Sequence, residues 1–501
     1  MNPPLSSPGD PPDVSLELDG GRLRALVEEA LRRLTAFLDS IDEQPSWNTA
    51  GREQVARAAL EPLPDTGTPP GELLDRLFGE ILPCSFNTAG PGYLAFIPGG
   101  GLPQTAVADL IANVVNRYAG FWPAAPGAAQ IEATVVRWLC EIVGYEAASG
   151  GFLTSGGSLA NFSGIYTARR CRLGDDLRRG IIYTSDQAHA SVQKAAMLAG
   201  FAPGNVHVIA SDHRFRIDAG RLNEQIAADR REKLIPFVVI ANAGTTNTGA
   251  IDDLAALADL AEREGLWLHV DAAYGGFFLL TQRGRRRMRG IERADSIVLD
   301  PHKGLFLPYG TGSLLVRRAG DLLDAHGIGP VGTESQSTRP AYMTSALDYF
   351  NMPDDPLLTD FQRCSPELSR PFRGLRVWLP LKLHGVEPFR RNLDEKLDLA
   401  QLAADRLRAM PQVEIVAEPE LSLLAFRVKV PGLSDSDLNR INERVLELVN
   451  SRRRVFISPT TLAGRYVLRI CVLSFRTHRE RIDACLEDLA WAIGEALAEG
   501  S

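Results

Sequence analysis

The chain has 501 residues, is 45% hydrophobic and 23% charged, and carries a formal net charge of −8. That length exceeds one ordinary hydrophobic core and predicts two or three packed units of a globular protein, which excludes the disordered and fibrous classes. The acidic balance argues against a nucleic-acid partner, and the basic runs RGRRRMR (283–289) and SRRR (451–454) read as solvated surface.

Residues 1–15 are rich in Pro, Ser and Gly, with no basic and apolar stretches of a secretory signal. From Arg22 to Ile41, Leu23, Leu26, Val27, Ala30, Leu31, Leu34 and Leu38 form one apolar helical stripe, expected to pack on a partner subunit. AGPGYLAFIPGGGLPQTAV (89–107) reads as a glycine-rich loop leading into a helix near Thr105–Val115. From about 150 to 318, short apolar runs at 180–184, 237–241, 266–270, 296–299 and 313–317 alternate with helical segments such as 252–265. This alternation predicts an α/β unit with a mostly parallel sheet and helices on both faces, whose ligands collect at the carboxyl ends of the strands. Beyond Gly385 come a long helix, a strand at 421–430, a second helix, a hairpin turning at Gly464 and a last helix, a smaller α+β unit. The expected units are 1–102, a helical segment; 103–375, the large α/β domain; and 376–501, the small α+β domain.

Nowhere is there an apolar run of about 20 residues, so no membrane span is expected. The six cysteines (84, 140, 171, 364, 471 and 485) show no metal-ligand spacing and predict reduced thiols in a cytoplasmic protein with no metal site.

Four segments carry chemistry. TSGGSLANFSG (154–164) is a glycine-rich loop opening a helix, able to cradle an anion, although a plain tight turn is as good a reading of it alone. His189 follows a strand in TSDQAHASVQKA (184–195), where a single imidazole is as readily structural. In LWLHVDAAYGG (266–276), Asp271 ends a buried strand, a costly place for a carboxylate without a cationic partner. In SIVLDPHKGLFLPYG (296–310), Lys303 sits among apolar residues, where desolvation favours the neutral amine unless the side chain merely snorkels outward. A phosphate cradle, a flat imidazole, a buried acid and a desolvated amine together are what pyridoxal phosphate needs.

The order TSGGSLAN, DQAHAS, AGTTNTGAIDDL, HVDAAYGG, DPHKG resembles the group II pyridoxal-phosphate decarboxylases, the family of aromatic-L-amino-acid decarboxylase, from roughly Pro91 to the C-terminus. The resemblance implies the fold-type-I transferase architecture and a homodimer with active sites at the subunit interface. It makes Lys303 the covalent anchor of the cofactor and Asp271 the partner of its ring nitrogen. It also implies that His189 stacks on the ring, Ala273 packs beneath it and Thr246 lies near ring and substrate. Gly157 and Ser158 would hold the phosphate, with His302 beside the lysine. Phe96, Ile97 and Phe121 fall where the family lines its substrate pocket, and Tyr342 matches its proton donor on a lid spanning 332–356, with Tyr349 as the rival. Asp300 and Gly304 depart from the Asn and Trp of many relatives; an acid at 300 would repel the phosphate unless turned away, so Asp300 is given no binding role, and Gly304 is expected to loosen local packing.

The implied reaction is decarboxylation of an L-amino acid, aromatic or bulky and apolar, to its amine and carbon dioxide. An acidic substrate read by Arg469, an aminotransferase and an aldehyde synthase remain the alternatives.

Overall fold

Runs rich in Val, Ile and Leu, too short for helices and closed by polar residues, build the central sheet. The computed structural model describes residues 16–174, 176–327 and 358–499. Seven strands, β1 (Gly150–Thr154), β2 (Gly180–Ser185), β3 (Val206–Ile209), β4 (Ile235–Asn242), β5 (Trp267–Asp271), β6 (Ser296–Leu299) and β7 (Gly312–Val316), lie in the order β1-β7-β6-β5-β4-β2-β3. β2 to β6 are parallel, while β7 runs antiparallel to both β6 and β1. Alternate residues of β4 feed different clusters. Val239 and Ala241 join Val135 and Leu139 of the helix Pro126–Val143, whereas Val238 and Ile240 join Ile165 and Ala168 of the helix Gly157–Arg172. A strand so patterned is covered on both faces.

A second, antiparallel sheet contains β8 (Val413–Ala417), β9 (Leu423–Val428), β10 (Ser458–Leu462) and β11 (Arg465–Cys471) in the order β10-β11-β9-β8. The helices Glu387–Arg408, Asp435–Ser451 and Arg479–Glu499 pack with it around a separate core. The expected hairpin is present, with Ala463 and Gly464 both at positive φ in its turn. The expected junction at 375/376 falls inside the helix Gly374–His384, which packs on Thr105–Val115 and Pro126–Val143 of the large unit. Contacts therefore favour a division after that helix, at Gly385.

The helix predicted over 22–41 spans Gly20–Asp39, starts at an Asp19 cap and buries none of its residues within the chain. The basic runs lie on acid-paired surface: Arg283 reaches Asp398 at 2.6 Å and Arg454 reaches Asp488 at 2.5 Å.

The stretch 92–102 links the two units. Leu94 donates to the Phe456 carbonyl of the small unit, and Leu102 donates to that of Phe306, just past Lys303. Between them Gly99 presses on the His302 carbonyl so closely that an added Cβ would lie 2.0 Å from its oxygen. No described helix is long and apolar enough to cross a membrane, and the described residues hold no group of three or more potential metal ligands.

Candidate active site

At the carboxyl ends of β4, β5 and β6 lies a cleft of about 260 Å3. Its walls include Gly157, Ser158, His189, Thr246 and Asp271, and also Ala273, His302 and Lys303. The strand–loop–helix alternation places them there: Asp271 is the last residue of β5, and Lys303 sits in a helical turn, Pro301–Gly304, just after β6.

The Lys303 side chain keeps 23% of its exposure, and its Nζ lies 2.9 Å from Asp300 Oδ2. Burial opposes its charge, but the carboxylates of Asp300 and Asp271 outweigh burial and raise its pKa above the ordinary lysine value. The neutral amine expected from apolar neighbours is therefore corrected: the acids that close β5 and β6 favour the charged ammonium. Asp300 is buried, and its Oδ1 has no hydrogen-bond partner. It is not turned away from the cradle: a Cβ on Gly157 would stand 3.0 Å from its Oδ2. Lys303 compensates that charge. Gly304 does not loosen the packing either: a Cβ there would meet Phe277 Cβ at 2.6 Å, because the phenyl group occupies the space.

Asp271 accepts from Asn161 Nδ2 at 2.9 Å and from the Ala273 amide at 3.1 Å, two donors that fix the direction of its carboxylate. His189 Nδ1 receives the Ser191 amide at 3.2 Å and lies 2.9 Å from Ser191 Oγ. His302 Nδ1 donates to the Thr311 carbonyl at 2.6 Å, and burial lowers this imidazole's pKa. The helix Gly157–Arg172 begins without a capping side chain, and the first N–H groups of an α-helix have no acceptor within it. Amides so placed are able to receive an anion beside the cleft. A small Ala273 side chain fits there too, its Cβ 3.2 Å from where a Gly157 Cβ would stand.

Phe96, Ile97 and Phe121 do not line this cleft. Phe96 is 50% exposed at a positive φ of 52°, while Ile97 and Phe121 are buried elsewhere. Tyr342, Tyr349 and the 332–356 segment lie outside the described residues. Arg469 is buried, but it spends its donors on the carbonyls of Phe96, Thr246 and Asn247 and on Ser458 Oγ. It ties the 92–102 stretch to the Thr246 loop.

Sequence reasoning missed Asn161, Ser191 and His269. The histidine in HVDAA lies wholly buried one residue pair below Asp271, between Ser296 Oγ (2.7 Å) and Asn161 Oδ1 (3.0 Å). Burial lowers its pKa to about 4, against the pull of Asp271. Burial likewise lowers His326 to about 4. A free histidine titrates near 6.5, so as pH falls the unfolded chain takes up these protons before the folded one. Stability is complete above pH 6.5 and is lost down to pH 4, by about 3 kcal/mol for each ring. Urea midpoints at pH 7 and pH 4.5 test this, and His326→Gln is expected to flatten the difference. An equal acid loss in that variant would rule out the His326 contribution.

Pyridoxal phosphate fits these residues: a glycine cradle that a Cβ would fill, an uncapped helix start, a primary amine and an ionised carboxylate face one cleft. Residues 80–429 match the model described as the pyridoxal-dependent decarboxylase conserved domain. The chain belongs to that family and is a pyridoxal-phosphate-dependent amino acid decarboxylase of the fold-type-I architecture. It is 34% identical to an aromatic-L-amino-acid decarboxylase of Bacillus atrophaeus over 93% of this chain and 95% of that one. It is 27% identical to tryptophan decarboxylase 1 of Oryza sativa subsp. japonica, over 91% of this chain and 90% of that one. Among solved structures, Oryza sativa TDC with PLP and tryptamine superposes with a TM-score of 0.87 at 25% identity, covering 96% of this chain and 99% of that one.

Proposed function

We propose that the chain converts an aromatic L-amino acid to the corresponding amine and carbon dioxide, with Lys303 and Asp271 at the centre of the site. The observation that carries this reading is the meeting of Lys303 Nζ, the donor-held Asp271 carboxylate and an uncapped helix start in one cleft.

When bound, pyridoxal phosphate supplies an electron sink for the pair left at Cα as carbon dioxide departs. The chain's own groups do the rest. Lys303 must shed a proton before its lone pair can bond carbon, and Asp300 Oδ2, 2.9 Å away, is the neighbouring acceptor. Asp271, oriented by Asn161 and the Ala273 amide, would keep a proton on the ring nitrogen. His189 and Ala273 would pack against the ring, with Thr246 near ring and substrate. Gly157 and Ser158 would hold the phosphate, and His302 would flank the lysine.

An aromatic substrate is favoured over an acidic one by the cleft's cations. Lys303 is the one Lys or Arg among its described lining residues, and Arg469 is already engaged. The relatives named for aromatic substrates support the same choice. Assaying a panel of aromatic and acidic L-amino acids for carbon dioxide and amine tests it. Turnover of glutamate or aspartate above that of tryptophan, tyrosine and phenylalanine would reverse the assignment.

The working unit in this reading is a cytoplasmic homodimer. Val107, Leu110, Ile111 and Val114 expose an apolar helix face, and the cysteines that the structure describes are free thiols. Light scattering is expected to give twice the chain mass, and a monomer that retains full activity would remove the dimer from the proposal.

A further inference from the structure

Asn161 makes three hydrogen bonds from a fully buried amide, and each has a forced direction. The oxygen of a carboxylate is an acceptor, so the Asn161 nitrogen faces Asp271 Oδ2 at 2.9 Å. The second N–H reaches Ser191 Oγ at 2.9 Å. The amide oxygen then accepts from His269 Nε2 at 3.0 Å. With Nε2 protonated, Nδ1 of the neutral His269 ring accepts a hydrogen bond from the Ser296 hydroxyl, 2.7 Å away, and that oxygen in turn accepts from Trp267 Nε1–H at 2.7 Å. On the other branch, the Ser191 amide aims its N–H at His189 Nδ1 and makes that nitrogen an acceptor, so Ser191 Oγ, which accepts from Asn161, donates a hydrogen bond to it at 2.9 Å. His189 is therefore left with its proton on Nε2.

We propose that Asn161 is a positioning residue that sets the orientation of the Asp271 carboxylate and the Nε2–H tautomer of His189 through one buried hydrogen-bond network. The helix makes room for it: one turn beyond Asn161, a Cβ on Gly164 would lie 2.3 Å from His269 Cε1. The helix whose start offers amides to an anion thus also governs the two groups assigned to the ring. The effect on the cofactor rests on the assignment of Asp271 above; the effect on His189 does not.

The test uses the full-length protein with 15N-labelled histidine, with and without pyridoxal phosphate. In the cofactor-free wild type, the ring-nitrogen shifts of His189 are expected to show an unprotonated Nδ1 and a protonated Nε2. Asn161→Asp, which keeps the shape and loses the donors, is expected to mix the tautomers, to weaken cofactor retention by about 10–100-fold, as loss of an outer-layer partner does elsewhere, and to move the pH titration of the visible cofactor band. Ser191→Ala is expected to mix the tautomers and leave that band in place. Asn161→Asp and Asn161→Leu variants that fold, keep the wild-type His189 shifts and keep the band titration would overturn the proposal. If the Asn161 variants do not fold, unchanged His189 shifts in Ser191→Ala overturn it alone. If His189 responds to these changes but Asp271→Asn leaves the band titration untouched, the network stands and the assignment of Asp271 to the ring nitrogen falls.

Discussion

Replacing Lys303 with alanine is expected to remove the visible absorbance of the reconstituted protein and to lower activity by about 10^4-fold. That is the upper end of what one proton-transferring side chain supplies, and it applies because Lys303 also holds the cofactor covalently. A second consequence concerns the protein without cofactor. Asp300 is buried and would lose its cation. Removing one member of a buried pair costs about 3–5 kcal/mol; the 23% exposure of the Lys303 side chain brings the expected loss to about 2 kcal/mol. The double variant Lys303→Ala, Asp300→Asn is expected to recover most of that stability without recovering colour. Urea unfolding of the four proteins in the cycle measures it. A coloured, active Lys303→Ala protein would end the assignment of the covalent anchor.

Asp271→Asn is expected to reduce kcat by about 10^3-fold, the scale of removing one preorganised electrostatic partner. The cause is specific. An amide cannot hold a proton on the ring nitrogen, so the ring's capacity to accept electrons falls while its shape and contacts persist. Asn161 then faces a neutral group and the Ala273 amide keeps an oxygen to bind, so the fold is expected to survive. Cofactor absorbance against pH and single-turnover rates check this; an unchanged rate with a folded, loaded variant would place the ring nitrogen elsewhere.

The sequence made the large sheet readable where local pattern and burial agree. SIVL before Asp300 and LWLHV before Asp271 are apolar runs closed by an acid, and both are strands within one residue of expectation. The strands GGFLT, VHVI and VEIVA were not anticipated: paired glycines, a histidine and a glutamate break their apolar runs, and their strand state comes from neighbours on the sheet. The same distinction holds in the site. Lys303 and Asp271 are chemically costly where they lie, and cost is visible locally. Asn161 and His269 are separated by 108 positions and gain meaning only when the helix and β5 are brought together. Asp300 was misread for a related reason: its charge looked harmful beside a phosphate because its compensation by Lys303 is a matter of side-chain geometry.

The missing Cβ at Gly99 makes the anchor for the coenzyme depend on a distant part of the chain. The backbone there rests on the carbonyl of His302, and the same stretch is fastened to Phe456 at its other end, so a methyl group at position 99 would have to displace the turn that carries Lys303.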